Sequence, residues 1–470
     1  MSGGKIVCLW MIYLCLGQGT GLIAKEAPKI ELKQLTLVPA SEPVPALKYR
    51  LLPGILEQKI GNAALFYQAA AAMCPDEEKD ELRDKLNTWR DQPLDQLPLK
   101  EVEEALAEFE QSFHLLHLAS LRSRCEWEMP IEDGFSMQLP SLSQYRHLVR
   151  ALALRIRLQI DKKDYTAALQ SLREGLAMGR SVAEGATLIQ DLVGISVSAV
   201  LLKEAESLLE VTDGPNLYWA LTSLPRPFID MRPALEFEQQ MIFVEFSMLA
   251  DLEEEIWIVA KAQAVVAELL AKFQCLGMAQ DMFWGEILTV AWVMTHYSDA
   301  KAYLADQGMA KKRIDALPAV QAVLLYQVRQ YLDYRDSLFK WFTVPYAQAY
   351  PHFKEANKQW SKFTSQQGLK SNVFFTILPA LDRAFFLQIR LDRHIALLRT
   401  LEALRMYAAN HGGGLPDSLA AIEAVPVPHD PVTGRSFIYN RRDAQHARLE
   451  APICEQDSTR RPVYELTIPK

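Results

Sequence analysis

The chain has 470 residues, of which 50% are hydrophobic and 23% are charged, with only 21 glycines and 25 prolines. This composition is normal for a packed globular protein, excludes a disordered or collagen-like chain, and allows about three domains at this length. The formal net charge of −8 opposes broad attraction to phosphate backbones or anionic lipid surfaces, so we expect no nucleic acid partner.

The N-terminus has the pattern of a secretory signal peptide. Lys5 precedes an apolar run at residues 6–16, and small residues follow, with cleavage expected after Gly19 or Ala24. We therefore assign residues 1–24 to a signal peptide and expect a periplasmic or extracellular protein. The alternative is an uncleaved membrane anchor, because no charge occurs between Lys5 and Lys25. Residues 25–50 are predicted to be an extended linker.

The body of the chain is predicted to be helical. From residue 51 to residue 410, apolar residues recur at spacings of three and four, as in Val102, Leu106 and Phe109. Such stripes must be buried against one another, which favours stacked antiparallel helical hairpins. Prolines between residues 225 and 233 suggest a boundary, so we predict a helical array at 51–225 and a second helical region at 226–410.

One segment resembles a tetratricopeptide repeat. Asp164, Tyr165, Ala168, Leu172 and Gly175 fall at the spacings of the second helix of that repeat. The small residues would let two helices approach closely. Further copies at the expected period are missing, so the prediction is one tetratricopeptide-like hairpin within an irregular array.

The tail, residues 411–470, is predicted to be a small α+β segment. Glycines at 412–414 end a long helix, and short strands are expected near 437–439, 448–451 and 464–468. The run VPVPHDPVTGRSFIY after LPDSL is similar to the C-terminal regions of type II secretion pseudopilins. This resemblance implies a small antiparallel sheet and makes Asp430 a candidate calcium ligand, with a structural turn as the alternative. Pilus assembly is not implied, because the N-terminal run lacks the expected Glu.

A broader resemblance extends over most of the chain. The segments GNAALFYQAA, CEWEMPIEDGFSMQLP, NLYWALTSLPRPFIDMRPALE and LPDSLAAIEAVPVPHDPVTGRSFIYN resemble a set of uncharacterised secreted helical proteins from planctomycete bacteria. That resemblance implies an exported helical protein. It brings no known activity.

Four cysteines follow the predicted signal peptide, namely Cys74, Cys125, Cys275 and Cys454. Their wide spacings exclude the short paired ligands of a structural zinc site. Cys74 and Cys125 are the candidate disulfide, because each adjoins a helix break and export would permit oxidation. The alternative is four buried thiols.

A metal site has one candidate set of ligands. Glu110, His114 and His117 lie at spacings of four and three, which points them towards one flank of a helix. The alternative for His117 is a packing histidine at the edge of an apolar stripe. The sequence lacks HExxH, GxSxG and a phosphate-binding glycine loop, so we predict no cofactor.

Two further clusters have both a functional and a structural interpretation. Glycoside chemistry would need a carboxylate pair from Asp230, Glu236, Glu238 and Glu245, although acidic helix faces are mostly just solvated. Tyr218, Trp219 and Phe228 could line a groove, but aromatic residues at helical spacing more often fill a core.

Together these features predict an exported, non-catalytic binding or scaffolding module of the cell envelope with a protein or peptide partner. A membrane contact is expected only through an uncleaved N-terminal segment. One alternative is a hydrolase-like enzyme whose site is assembled from distant helices. Another is a component associated with a secretion or pseudopilus assembly through the tail.

Overall fold

A computed structural model describes residues 30–75, 80–140, 142–276, 286–365, 372–378, 381–455 and 461–469. Over these ranges the protein is mainly α-helical, with a four-stranded sheet and a two-stranded sheet. The predicted mainly α fold with a small α+β C-terminal segment is confirmed. The predicted signal peptide at 1–24 lies outside the described residues.

The helices and strands are numbered separately in chain order. The helices are α1 (Ala63–Ala72), α2 (Asp80–Asp91), α3 (Leu99–Ala107), α4 (Glu110–Ser120), α5 (Leu142–Asp161), α6 (Tyr165–Ala183), α7 (Leu188–Ser207), α8 (Tyr218–Thr222), α9 (Arg232–Glu245), α10 (Val259–Cys275), α11 (Glu286–Asp306), α12 (Lys311–Ala316), α13 (Ala319–Phe339), α14 (Tyr346–Ser365) and α15 (Leu381–Asn410). The strands are β1 (Ile30–Thr36), β2 (Lys59–Asn62), β3 (Arg122–Arg124), β4 (Ile438–Arg441), β5 (His446–Glu450) and β6 (Arg461–Thr467). No helix among the described residues combines the length and apolar character needed to cross a membrane.

The chain forms two compact units. The smaller unit contains Met129–Gln138 and Leu235–Arg383, and the larger unit contains residues 30–128, Leu139–Ala234 and residues 384–469. This division differs from the predicted boundaries near residues 225 and 410. In particular, most of α15 belongs with the larger unit.

The proline-rich turn near residue 225 lies inside the larger unit rather than between units. Phe228 N donates to Asp392 Oδ1 at 3.0 Å, and Met231 N donates to Gln388 Oε1 at 3.3 Å. Both acceptors are on α15, so the turn is fixed to that helix. One crossing between the two units, at Ala234/Leu235, comes directly after the proline-rich stretch at 225–233.

The predicted hairpin between residues 154 and 179 is present as α5 and α6. Asp164 begins α6 by accepting a hydrogen bond from Ala167 N at 3.0 Å. Gly175 permits close packing, because a Cβ there would lie 2.4 Å from Leu201 and 2.6 Å from Leu152. A side chain at this position would require the buried δ-methyl groups of Leu152 and Leu201 to move.

The four-stranded sheet has the order β1-β6-β5-β4. β1 runs parallel to β6, with Ile30 beside Arg461, and the other pairs are antiparallel. The three C-terminal strands lie close to their predicted positions. β1 corrects the prediction that residues 25–50 are only a linker, because Leu35 in this strand and Leu37 directly after it are buried.

Arg405 is a fully buried cation on α15. Its Nη1 donates to Glu402 Oε2 at 2.8 Å and to the Pro215 carbonyl at 3.2 Å, and its Nη2 donates to the Gly214 carbonyl at 3.1 Å. Its Nε donates to the Val38 carbonyl at 2.7 Å. One guanidinium thus joins α15, the turn before α8 and the chain that follows β1.

A second buried ion pair fixes the tail to α15. Arg393 Nε and Nη2 donate to the two oxygens of Asp430 at 2.8 and 2.9 Å. Asp430, which is 0% exposed, also accepts from Val432 N at 3.1 Å and from Thr433 Oγ1 at 2.7 Å. Because these donors occupy the carboxylate, Asp430 forms a structural turn and not the suggested calcium site.

The smaller unit has an aromatic core. The Phe246 ring lies 5.3 Å from that of Phe273 and 5.7 Å from that of Phe374, with the second pair edge to face. Gln321, buried on α13, accepts from Trp257 N at 2.9 Å and so fixes the chain before α10. Side chains from separate helices thereby stabilise this unit internally.

The replacement Arg405→Met is expected to lower the free energy of unfolding by about 3–5 kcal/mol, because it leaves Glu402 and three carbonyl groups buried without their donor. Urea denaturation followed by circular dichroism measures the change. The control is Arg442→Met, whose guanidinium pairs at 2.9 Å with Glu465 and is 59% exposed, so the expected loss is under ~1 kcal/mol. Equal losses in both variants would contradict a special role for Arg405.

Candidate binding surface

The predicted metal ligands on α4 do not converge. Glu110 and His114 are exposed, whereas His117 turns towards α6, where its Nδ1 lies 2.7 Å from Glu174 Oε1. Gln170 Nε2 donates to the same Glu174 oxygen at 2.9 Å. In the described part of the chain, no three His, Cys, Asp or Glu side chains are grouped to hold a metal ion. The alternative interpretation of His117 as a hydrogen-bonded packing residue fits this geometry.

The predicted aromatic groove is part of the core instead. Tyr218 and Phe228 are 0% and 1% exposed, and Trp219 is half-buried. The hydroxyl of Tyr218 donates to the Pro426 carbonyl, and the guanidinium carbon of Arg399 lies 5.5 Å from the Tyr218 ring centre. These contacts attach α8 to α15 and to the tail, so Tyr218 and Phe228 cannot line an open groove.

Cys74 and Cys125 are not joined by a disulfide. Asn62, at the start of α1, hydrogen bonds to both the N–H and the carbonyl of Glu126, which places Cys125 at that end of the helix. Cys74 follows the other end, where its Sγ donates to the Ala70 carbonyl at 3.4 Å. The 10 residues of α1 span ~15 Å, whereas a disulfide needs Cα atoms within about 7 Å. The fold therefore separates the predicted pair.

The candidate carboxylates for glycoside chemistry have structural partners or face solvent. Asp230 accepts from Arg232 Nε on Oδ1 at 2.8 Å and from Arg232 Nη2 on Oδ2 at 2.6 Å. Glu245 is buried, accepts from Phe135 N at 2.8 Å and lies 3.1 Å from Lys272 Nζ. Glu236 and Glu238 are exposed and half-buried, respectively. This arrangement favours the structural interpretation of the acidic residues.

Sequence reasoning missed a cluster of ionisable side chains around Glu206 on α7. Its Oε1 accepts from Tyr464 Oη at 2.9 Å and lies 2.7 Å from His394 Nε2, while its Oε2 accepts from Lys33. Burial raises the pKa of Glu206, but His394 and Lys33 outweigh that effect and lower it to about 2. A general base works best with a pKa near the operating pH, so this carboxylate is better suited to hold β1, β6 and α15 on α7.

Glu204 is also buried on α7 but has a weaker partner. Arg157 Nε lies 3.8 Å away, and that guanidinium already donates to the carbonyls of Trp89 at 2.9 Å and Arg90 at 2.6 Å. Burial raises the pKa of Glu204 to about 7, although Arg157 opposes the rise. Ionised Glu204 is therefore a source of instability at neutral pH.

Aliphatic side chains protrude from the segment before α1. Ile55, Leu56 and Ile60 are 82%, 97% and 95% exposed, and Leu65 on α1 is 62% exposed. We call these four side chains the aliphatic patch. The four side chains lie within 11 residues of the chain, and the described protein leaves each of them largely uncovered.

Hydrogen bonds fix the backbone of the aliphatic patch. Gly54 N donates to Glu57 Oε2 at 2.7 Å, and the same carboxylate pairs with Arg173 on α6 at 2.7 Å. Lys59 N donates to the Leu121 carbonyl at 2.7 Å, which joins the segment to the end of α4. The patch is thus presented by a segment tied to two helices.

Basic side chains surround the patch. Arg122 Nη1 donates to the Ile60 carbonyl at 3.4 Å, and its guanidinium carbon lies 4.3 Å from the centre of the Phe66 ring. Lys59 is exposed on the same strand as Ile60, and Arg50 lies at the turn that begins the segment. We call Arg50, Lys59 and Arg122 the basic rim.

The sequence that forms this surface is a short run within residues 51–225, where the apolar spacing predicts helices. The run PGILEQKIGN has a Pro-Gly turn followed by aliphatic residues beside a lysine, and it forms turns and β2 instead of helix. No protein-family model matches the chain, and no curated protein or solved structure shows significant similarity to it. The function proposed for the protein therefore depends on the geometry of the patch and rim.

The replacement Glu204→Gln is expected to stabilise the protein at pH values above about 7 and to have little effect near pH 4. Folding raises the pKa of Glu204 from 4.5 to about 7, so ionisation of this carboxyl is easier in the unfolded state. The folded state therefore loses stability as the pH rises from about 4.5 to about 7. We expect a gain of roughly 1–3 kcal/mol, measured by thermal unfolding as a function of pH. The exposed Glu103→Gln is the control. Destabilisation of Glu204→Gln at high pH would show that the Arg157 interaction dominates.

Native Cys125 is expected to resist alkylation, whereas Cys275 reacts readily. Burial raises the pKa of the Cys125 thiol to about 12, and Cys275 is exposed. Iodoacetamide labelling of the folded and urea-unfolded protein, followed by peptide mass spectrometry, compares the two sites. Equal native labelling rates, or a peptide linking Cys74 to Cys125, would contradict the described packing.

Proposed function

We propose that the protein is a non-catalytic binding or scaffolding module exported to the cell envelope, and that the aliphatic patch is its contact surface. The near-complete exposure of Leu56 and Ile60, at 97% and 95%, carries this proposal. Removing an aliphatic side chain of this size from water is worth ~1.5–3 kcal/mol. A partner that covers the patch gains this free energy for each side chain.

The fixed backbone of the patch also supports binding. The contacts of Gly54 with Glu57 and of Lys59 with Leu121 hold the segment in the absence of a partner. Ordering a flexible loop would otherwise reduce the affinity. Binding therefore costs little conformational entropy at this surface.

The non-catalytic part of the proposal is supported by the partners of three buried carboxylates, those of Glu206, Asp430 and Glu402. Glu206 is surrounded by donors from three elements, and Asp430 by the guanidinium of Arg393 and its own turn. Glu402 is paired with Arg405. These contacts stabilise the fold, and they leave the carboxylates committed to partners within the chain.

The double replacement Leu56→Ser/Ile60→Ser is expected to abolish recovery of envelope partners by the affinity-tagged full chain. Serine removes apolar area without adding charge, and both sites are exposed enough that the cost in stability should be within ~0.5 kcal/mol. Detergent-solubilised envelope fractions provide the partners, and quantitative mass spectrometry measures recovery.

The matched control is Ile258→Ser/Val259→Ser, which changes two aliphatic side chains that are 72% and 70% exposed on the smaller unit. We expect this control to retain wild-type recovery. Equal recovery with all three proteins would exclude the patch as the contact surface.

A further inference from the structure

Building on the binding role proposed above, we infer that the aliphatic patch docks into the interface of an anionic lipid bilayer. Three properties of the patch point to this occupant: its projecting shape, its basic rim and the backbone hydrogen bonds at its Ile60 end. The sequence had suggested membrane contact only through an uncleaved N-terminal segment. The proposed contact is independent of that segment.

The patch projects from the surface. A side chain that keeps 97% of its accessible area, as Leu56 does, has almost no protein beside it. A folded partner would need a matching cavity for each projecting side chain, whereas the boundary between headgroups and acyl chains accommodates apolar side chains of any arrangement. The shape therefore favours lipid over a protein groove.

The basic rim gives the patch a local charge opposite to that of the chain. The net charge of −8 opposes general attraction to anionic lipid, but charges beyond a Debye length of about 8–10 Å are largely screened. Arg50, Lys59 and Arg122 lie beside the patch, while the nearby Glu57 is neutralised by Arg173. Each basic side chain close to an anionic surface should strengthen binding about fivefold.

Backbone hydrogen bonds are made at the Ile60 end of the patch. Polar backbone groups that enter a poorly hydrated interface must be paired, because water is scarce. Lys59 N donates to the Leu121 carbonyl at 2.7 Å, and the Ile60 carbonyl accepts from Arg122 at 3.4 Å. Arg122 thus pairs a backbone carbonyl and supplies a positive charge at the same point.

A second pair of exposed aliphatic residues provides a control of opposite charge. Ile258 and Val259 are 72% and 70% exposed on the smaller unit, and they follow the exposed acidic run at residues 253–255. Apolar exposure is therefore available at both sites, but the cations near Ile258 and Val259 are paired with acidic side chains, Lys261 with Asp251 and Glu255 and Arg329 with Glu253. Anionic lipid should discriminate between them.

Vesicle flotation with the full chain tests the inference. Phosphatidylcholine vesicles with and without phosphatidylglycerol are compared for the wild type, Leu56→Ser/Ile60→Ser, Lys59→Gln/Arg122→Gln and Ile258→Ser/Val259→Ser. All four proteins share the same N-terminal run, so its contribution cancels. We expect binding to rise with phosphatidylglycerol for the wild type and the Ile258/Val259 control.

The Leu56/Ile60 variant should lose about 100-fold in the phosphatidylglycerol-dependent partition coefficient, and the Lys59/Arg122 variant about 25-fold. Added salt should weaken wild-type binding. The inference would be overturned if wild-type binding were the same with and without phosphatidylglycerol. It would also be overturned if the Leu56/Ile60 variant bound as well as the wild type.

The two proposals fail in different ways. Absence of wild-type vesicle binding, combined with patch-dependent recovery of a protein from detergent extract, would overturn the lipid inference and leave the binding role in place. Loss of both patch-dependent activities would overturn both proposals. Circular dichroism of each variant establishes that a loss of binding is not a loss of fold.

Discussion

The larger unit depends on the burial of one cation, Arg405, in a place that water cannot reach. A buried guanidinium is costly unless its donors are matched, and here they are shared among the carboxylate of Glu402 and the carbonyls of Val38, Gly214 and Pro215. These acceptors lie far apart in the chain, so the pairing is satisfied in only one arrangement of the segments. That constraint brings the chain after β1 against α15 and makes an apparent linker part of the fold.

The same helix organises the rest of the unit through other buried charges. Arg393 holds the tail through Asp430, and His394 meets Glu206 on α7. α15 therefore carries buried charged side chains within an otherwise apolar array of helices. Their ion pairs determine which segments pack beside this helix. Its ionisable groups are used to fix the architecture. Under the proposed binding role, contact with other molecules would fall to exposed surfaces such as the aliphatic patch.

Periodic apolar residues were enough to predict the helical body, the hairpin of α5 and α6, and the strands of the tail, because each signal is local. The sequence could not reveal β1, whose partner β6 is at the other end of the chain. It could not show that Tyr218 is covered by α15 and the tail, or that α1 separates Cys74 from Cys125. Exposure is equally non-local: Leu56 lies in a region predicted to be helical, yet it is 97% exposed in a turn before β2.

A local excess of positive charge on an acidic protein has a directional consequence. Beyond a Debye length the charges of the chain are largely screened, and within it only orientations that place Arg50, Lys59 and Arg122 at an anionic surface are attractive. The apolar side chains between these cations then meet the interface first. Acidic residues elsewhere on the chain would be repelled by the anionic surface, so orientations that bring them close are disfavoured. The negative net charge would thus make binding specific for one orientation. The rigid attachment of the patch to α4 and α6 would transmit that orientation to the whole of the larger unit.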